Sequence, residues 1–398
     1  MSISLRSFFI FFLLSCHSQN HTLSIDQIVL QDSSIEVGAA QIQAYLPLLN
    51  DKRIGIIANQ TSVINDVHLV DTLINLGQHI KCVFSPEHGF RGKADAGEHI
   101  KSDIDVLTGI PIVSLYGATK KPSKDQLKNI DILIFDIQDV GARFYTYIST
   151  LHYIIEAAAE NNIPLIILDR PNPNGHYVDG PVLKSAFHSF VGMHTVPIVH
   201  GLTVGEYALM INGEKWTNAD NEANIHVVKC QNYGHSAKYE LPIPPSPNLR
   251  SSDAIRYYPT ICLFEGTVIS EGRGTDTPFE IIGHPLLPDS LYTDVFKPIP
   301  GLGSKNPKLN GQICNGISLK KLNGFENQIN LELLIQLYND YQGEDFFIIK
   351  NNWFDMLAGS NELREQITNG KSANEIRQSW QKDLNAFKVT REKYLLYP

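Results

Sequence analysis

The feature that most constrains this chain is an alternation. From Arg53 onward, short apolar runs are separated by helical patterns. A chain that alternates in this way folds into a parallel sheet with helices on its faces, because parallel strands must be joined by long crossovers. The strand runs fall at 54–58, 80–84, 112–115, 132–135 and 163–168. Between them, a helix over 66–76 carries Val67, Val70, Leu73 and Ile74 on one face, with Gly77 as its stop. Phe144, Ile148, Leu151, Ile155 and Ala158 keep a single face after the fourth strand. These stripes are core. The expected fold class is α/β, with a Rossmann-like parallel-sheet domain over 51–250 and a smaller mixed α/β domain over 251–398 that ends in a helix near 373–387. The run Leu241-Pro242-Ile243-Pro244-Pro245-Ser246-Pro247-Asn248 suits neither helix nor central strand and marks the junction.

In such sheets, ligands bind outside the carboxyl ends of the strands, so the residues that follow each strand matter most. Here each strand runs into polar groups. Asn59, Gln60 and Thr61 follow the first, Glu87 and His88 the second, and Tyr116 the third. Asp136, Gln138 and Asp139 follow the fourth, and Asp169, Arg170 and Asn172 the fifth. Together they describe a polar pocket for a hydroxyl-rich ligand. A dinucleotide would need G-x-G-x-x-G after an early strand, and that turn is missing. P-loop, G-x-S-x-G and H-E-x-x-H motifs are missing too, so the reading calls for no organic cofactor.

The densest chemical segment is Ser85-Pro86-Glu87-His88-Gly89-Phe90-Arg91-Gly92, with Asp95 and Glu98 close behind. A strand-end glutamate beside aromatic and backbone groups can donate a proton to a leaving sugar oxygen, which makes Glu87 the first catalytic candidate. The bland alternative pairs Glu87 with Arg91 for structure. Glycoside hydrolysis usually needs a second carboxylate. Glu98, Asp136, Asp139, Glu265 and Glu271 all remain open for that role, and an N-acetylated sugar could instead use its own acetamide. His88, His99, His194 and His200 match no defensible metal-ligand spacing, so no metal is expected; His88 and His194 read as hydrogen-bonding or core histidines. Tyr145 and Tyr147 can stack on a sugar face.

The N-terminus carries Arg6, then the apolar run from Phe8 to Leu14, then Ser15-Cys16. That run is too short to span a bilayer and reads as a signal-peptide core over 1–15. Its ending resembles a bacterial lipobox with Cys16 as the lipidated residue, followed over 16–50 by a tether and N-terminal extension. The expectation is an exported lipoprotein held to a membrane through its N-terminal lipid. The formal net charge of −9 argues against a nucleic-acid partner, whose phosphates need clustered cations. Cys82, Cys230, Cys262 and Cys314 form no C-x-x-C pair and read as buried free thiols.

The run Pro86-Glu87-His88-Gly89-Phe90-Arg91-Gly92 with Ala96-Gly97-Glu98 resembles the exo-β-N-acetylmuramidase family, long filed as a domain of unknown function. The likeness continues from Phe135 through Arg143 to Tyr147, from Leu168 to Gly175, at Asp179-Gly180-Pro181, and from Pro197 to Glu206. It extends through Pro245-Ser246-Pro247-Asn248 and from Glu265 to Phe279, covering about residues 54–398. The resemblance implies a Rossmann-like catalytic domain, a smaller C-terminal domain, and a cleft for the non-reducing end of a muramic acid disaccharide or muropeptide. By that implication Glu87 matches the family's catalytic glutamate. Muramic acid carries a lactyl carboxylate, which an arginine can grip in bidentate fashion. Arg143, Arg170, Arg250 and Arg273 are the candidates, with Arg273 and Thr275 in a loop that has no packing rationale of its own. The rival reading is a non-catalytic cell-wall sugar-binding lipoprotein that uses the same rim.

Overall fold

The computed structural model describes residues 34–87, 89–91, 103–117, 119–348 and 352–398. The signal segment, Cys16, His88 and Glu98 lie outside the described residues.

The strands are β1 (Arg53–Ala58), the short hairpin β2 (Val63–Ile64) and β3 (Val67–His68), β4 (His79–Ser85), β5 (Asp103–Ile104), β6 (Pro111–Ser114), β7 (Ile132–Asp136), β8 (Leu165–Leu168), β9 (Ile225–Val228), β10 (Ile281–His284), β11 (Asp294–Phe296) and β12 (Cys314–Ser318). Seven of them form one sheet in the order β5-β6-β4-β1-β7-β8-β9, parallel except for β5. Every residue of β7 and β8 is buried, as befits strands covered by helices on both faces. The chain steps from β1 outward through β4 and β6, then returns to β7 on the other side of β1. This reversal is the topological switch point of a doubly wound fold, and it places the ends of β1, β4 and β7 around one crevice.

The helix expected over 66–76 begins later, at Leu69, because the preceding residues form the β2–β3 hairpin and His68 caps the helix through Nδ1. The helix after β7 spans Tyr147–Asn161, so Phe144 belongs to the loop that leads into it. It packs against Val204–Gly213, which opens with a capping box between Thr203 and Glu206. Residues 35–50 are integral to this body: Ala39, Tyr45 and Leu49 are buried in the core beside β1 and β4.

The C-terminal part carries the antiparallel sheet β10-β12-β11 and several helices. The final helix, Ala373–Glu392, runs one turn beyond its expected end and buries Ile376, Trp380, Leu384 and Phe387 along one stripe. The chain then returns to the parallel sheet. The Tyr397 hydroxyl donates to Asp169 Oδ2 at 2.6 Å, and the His235 N–H donates to the Pro398 carbonyl at 2.9 Å. Cys82, Cys230, Cys262 and Cys314 are free and buried. Among the described residues, no helix is long and apolar enough to cross a membrane.

Candidate active site

A cavity of about 460 Å³ opens beside the end of β4. Glu87, two residues beyond that strand, lines it together with Tyr116, Thr146, Tyr145 and Tyr147. The Thr146 hydroxyl donates to Glu87 Oε2 at 3.2 Å. Phe144, Phe190, Tyr258, Phe279 and Trp353 supply aromatic walls. Tyr145 packs edge-on against both Tyr147 and Tyr258, at centroid distances of 4.9 and 5.7 Å. The Pro-rich segment forms part of the wall through Ser246 and Asn248. It is anchored there by the Gln60 amide, which donates to the Pro244 and Pro245 carbonyls, and by the Tyr147 hydroxyl, which donates to Pro245 at 3.2 Å.

The charged side of the cavity is Arg273 with Glu265. Arg273 Nη2 donates to Glu265 Oε1 at 2.6 Å, and its Nε lies 3.5 Å from Glu271. Lys308 meets Glu271 at 3.0 Å, so two cations face two carboxylates. Burial works against charge on Arg273, but Glu265 and Glu271 outweigh it and hold the guanidinium above its ordinary range. The Phe279 ring lies 5.0 Å from the guanidinium carbon.

Among the described residues, two polar atoms of lining side chains are buried without a partner, Ser189 Oγ and Asn248 Oδ1. Unmet hydrogen-bonding groups in a cavity wall are places where a polar ligand can complete the pattern.

Many strand-end residues expected in the pocket sit beneath it instead, with other partners. Asp136 is fully buried and forms a two-point ion pair with Arg170, at 2.6 Å to Nε and 3.0 Å to Nη2, so neither lines the cavity. Asp169 accepts from Thr203 Oγ1, Tyr397 Oη and the Gly205 N–H. Burial still pushes its carboxyl up to about 6. Asn172 braces the next turn: its Oδ1 accepts from Asn174 N, and its amide donates to Leu202. It also packs where a Cβ on Gly141 would stand, at 2.2 Å, and Gly141 has φ +77, so this turn accepts glycine only. Gln138 donates to the Asp139 and Pro171 carbonyls. Asn59 Oδ1 accepts from Thr61 Oγ1 at 2.6 Å. Asp139 takes the Gly141 N–H on Oδ1, leaves Oδ2 unpartnered, and is pushed by burial up to about 7.

The remaining candidates divide in the same way. Arg143 donates its guanidinium to the carbonyls of Pro181, Val196 and Leu357, so it ties backbone segments together and is not presented to the cavity. Arg91 bridges Asp105 and Asp71 rather than Glu87. His194 is buried between His152 and Tyr207 at 2.9 and 3.0 Å and stacks on Trp216. Thr275 donates to the Gly272 carbonyl and lines a neighbouring groove. Of the arginine candidates only Arg273 lines the cavity, and Arg250 belongs to the groove. Reasoning from sequence missed Ser189, Phe190, Tyr258, Trp353 and Met356. Thr146 could have been found, since it sits inside the run from Phe135 to Tyr147; Trp353 and Met356 carry no local signal.

Aromatic walls, acidic groups and unmet hydrogen-bonding atoms at a switch point suit the binding and cleavage of a sugar, and the molecule is of that class, a glycoside hydrolase. Its family follows from comparison with known proteins. The model described as Exo-beta-N-acetylmuramidase NamZ, N-terminal, matches residues 54–253, and its C-terminal counterpart matches residues 256–397. The chain belongs to this exo-β-N-acetylmuramidase family. It is 41% identical over 371 residues to the peptidoglycan beta-N-acetylmuramidase NamZ of Bacillus subtilis (strain 168), covering 89% of each chain. Two crystal structures of DUF1343 family proteins from Bacteroides fragilis share its fold. One is 45% identical with a TM-score of 0.84 and the other 30% identical with a TM-score of 0.77, each covering 92% of this chain and 99% of its own.

Proposed function

We propose that the protein releases terminal N-acetylmuramic acid from the non-reducing end of peptidoglycan fragments. The observation that carries this reading is the placement of Glu87 and Arg273 in one aromatic-walled cavity of a chain with this family membership. The Thr146 hydroxyl donates to Oε2 of Glu87 and orients the carboxyl group. Glu87 gives a proton to the glycosidic oxygen as the bond to the anomeric carbon breaks, and water completes the sugar product. Arg273 reads the lactyl carboxylate that distinguishes muramic acid from glucosamine.

The test is release of free sugar from a chromogenic β-N-acetylmuramide and from its N-acetylglucosaminide counterpart. Cleavage of the muramide alone, lost in Glu87→Gln, is the expected result. Sugar binding without cleavage of either compound would replace this reading with the sugar-binding one.

The N-terminus supports export and lipidation at Cys16, with the enzyme held beside its polymer on the envelope side of a membrane. Cys16→Ala should move the protein from the membrane to the soluble fraction in cells fed a labelled fatty acid. Retention of label by the variant would rule out lipidation at Cys16.

A further inference from the structure

Among the described residues, two carboxylates line the active-site cavity, Glu87 and Glu265. The other described acids open for a second role are placed elsewhere: Asp136 is held by Arg170, and neither Asp139 nor Glu271 reaches the cavity wall. Glu265 is held from behind. It lies on the short turn Cys262–Gly266, where the Lys308 ammonium donates to the Phe264 carbonyl at 2.8 Å and a Cβ on Gly266 would stand 2.4 Å from the Phe354 backbone. Arg273 Nη2 donates to Oε1 of Glu265 at 2.6 Å, and no described residue donates to Oε2.

Resting on the glycosidase reading above and on Arg273 as the group that meets the lactyl carboxylate, we propose that Glu265 accepts the N–H of the substrate's acetamide and aims the acetamide carbonyl oxygen at the anomeric carbon. In N-acetylmuramic acid the glycosidic oxygen, the acetamide and the lactyl ether sit on consecutive ring carbons, C1, C2 and C3. A group in contact with Arg273 on the side facing Glu87 therefore falls at C2. Glu265 is in that contact. It also lies toward Glu87: Thr146 holds Glu87 beside Tyr145, Tyr145 packs on Tyr258 at 5.7 Å between centroids, and the Glu265 charge reaches the Tyr258 hydroxyl. Burial first, then neighbouring charges that include Glu87 for Tyr145 and Glu265 for Tyr258, hold both phenols well above their ordinary range.

The step then needs no second protein nucleophile. As the C1–O bond breaks, Glu87 gives its proton to the departing glycosidic oxygen and the acetamide carbonyl oxygen bonds to C1, closing an oxazolinium ring whose positive charge faces the Glu265 carboxylate. Water then adds to C1, returns a proton to Glu87 and reopens the acetamide. Substitution at C1 occurs twice, from opposite faces, so the sugar leaves with its β configuration. Arg273 holds Glu265 in place before substrate arrives, and Glu271 with Lys308 holds Arg273 in turn, so the charge is positioned in advance of the reaction.

The experiment uses the full chain and chromogenic β-N-acetylmuramides whose acetamide methyl carries none, one, two or three fluorines, which weaken the carbonyl oxygen stepwise. The wild-type kcat should fall at each step, and the first-formed sugar, read by proton NMR, should be the β anomer. Glu265→Gln keeps an acceptor oxygen but loses the charge, and per folded molecule it should lose about 10²–10³ in kcat on the unfluorinated compound. A kcat that ignores fluorination overturns the proposal, as does a first-formed α anomer, a glycosyl ester on Glu265 found by mass spectrometry, or an unchanged kcat in the variant. A loss confined to KM also overturns it, by leaving Glu265 as a prop for Arg273 or a reader of the C4 hydroxyl. The fluorine series and the anomer are read on the wild type, so they stand even where the variant does not fold. Failure of the glycosidase reading is separate and visible earlier, as a wild-type protein that cleaves no member of the series.

Discussion

Two polar layers lie at the carboxyl ends of the parallel strands, and they differ in how far their hydrogen bonds are completed. The lower layer, Asp136 with Arg170 and Asp169 with Thr203, Gly205 and Tyr397, is buried and bonded within the protein. The upper layer around the cavity, which Glu87 also lines, keeps open capacity at Ser189 and Asn248. Both layers look alike in sequence, as Asp, Asn, Arg and Glu after apolar runs. The difference teaches that a strand-end polar residue is a candidate for function only if its neighbours have not already satisfied it.

The comparison breaks or sharpens under mutation. Glu87→Gln should lower kcat by about 10²–10⁴ on the chromogenic muramide while leaving the thermal midpoint unchanged. A large loss of stability would move Glu87 into the lower layer. Arg170→Met should do the opposite, costing about 3–5 kcal/mol in denaturant unfolding because Asp136 is left charged and buried, with activity per folded molecule retained. If the folded fraction instead proved inactive, the lower layer would have a catalytic role. Arg273→Met should erase much of the preference for muramide over glucosaminide, by roughly tenfold, mainly through KM; a pure kcat effect would assign Arg273 to the reaction centre instead.

The smallest effect concerns Asp139. Burial raises its folded-state pKa to about 7, above the unfolded carboxylate value. The folded protein therefore holds a proton there that the unfolded chain has lost between about pH 4 and 7. Stability from this group is full below the unfolded pKa and is lost as pH rises through about 7. Asp139→Asn should flatten unfolding free energy across that window and match or exceed the wild type at pH 8. A variant less stable than wild type at pH 8 would show that the ionised carboxylate has a partner in solution.

Much of the fold was legible because its cause is local. The apolar runs of β1, β4, β7 and β8 are largely buried strands and that of β6 is half-buried, and a chain that alternates such runs with helices builds a parallel sheet. The hairpin at Val63–His68 was hidden inside a helical pattern, since two-residue strands leave no periodicity to read. The site was legible only in part. Glu87, Tyr145 and Arg273 line the cavity as expected, whereas Asp136, Asp169, Arg170, Asn172, Arg143 and His194 had the right chemistry in the wrong layer.

The sequence by itself determined the class of sheet and the family, and pointed to Glu87, because these reside in apolar periodicity and in unbroken motif runs. Only the tertiary structure decided which polar groups stay available. Asp136 is spent on Arg170, 34 residues away, and Arg143 on Leu357, 214 residues away. Hydrogen-bond capacity is consumed by whatever the fold brings within about 3 Å, and no local pattern records that.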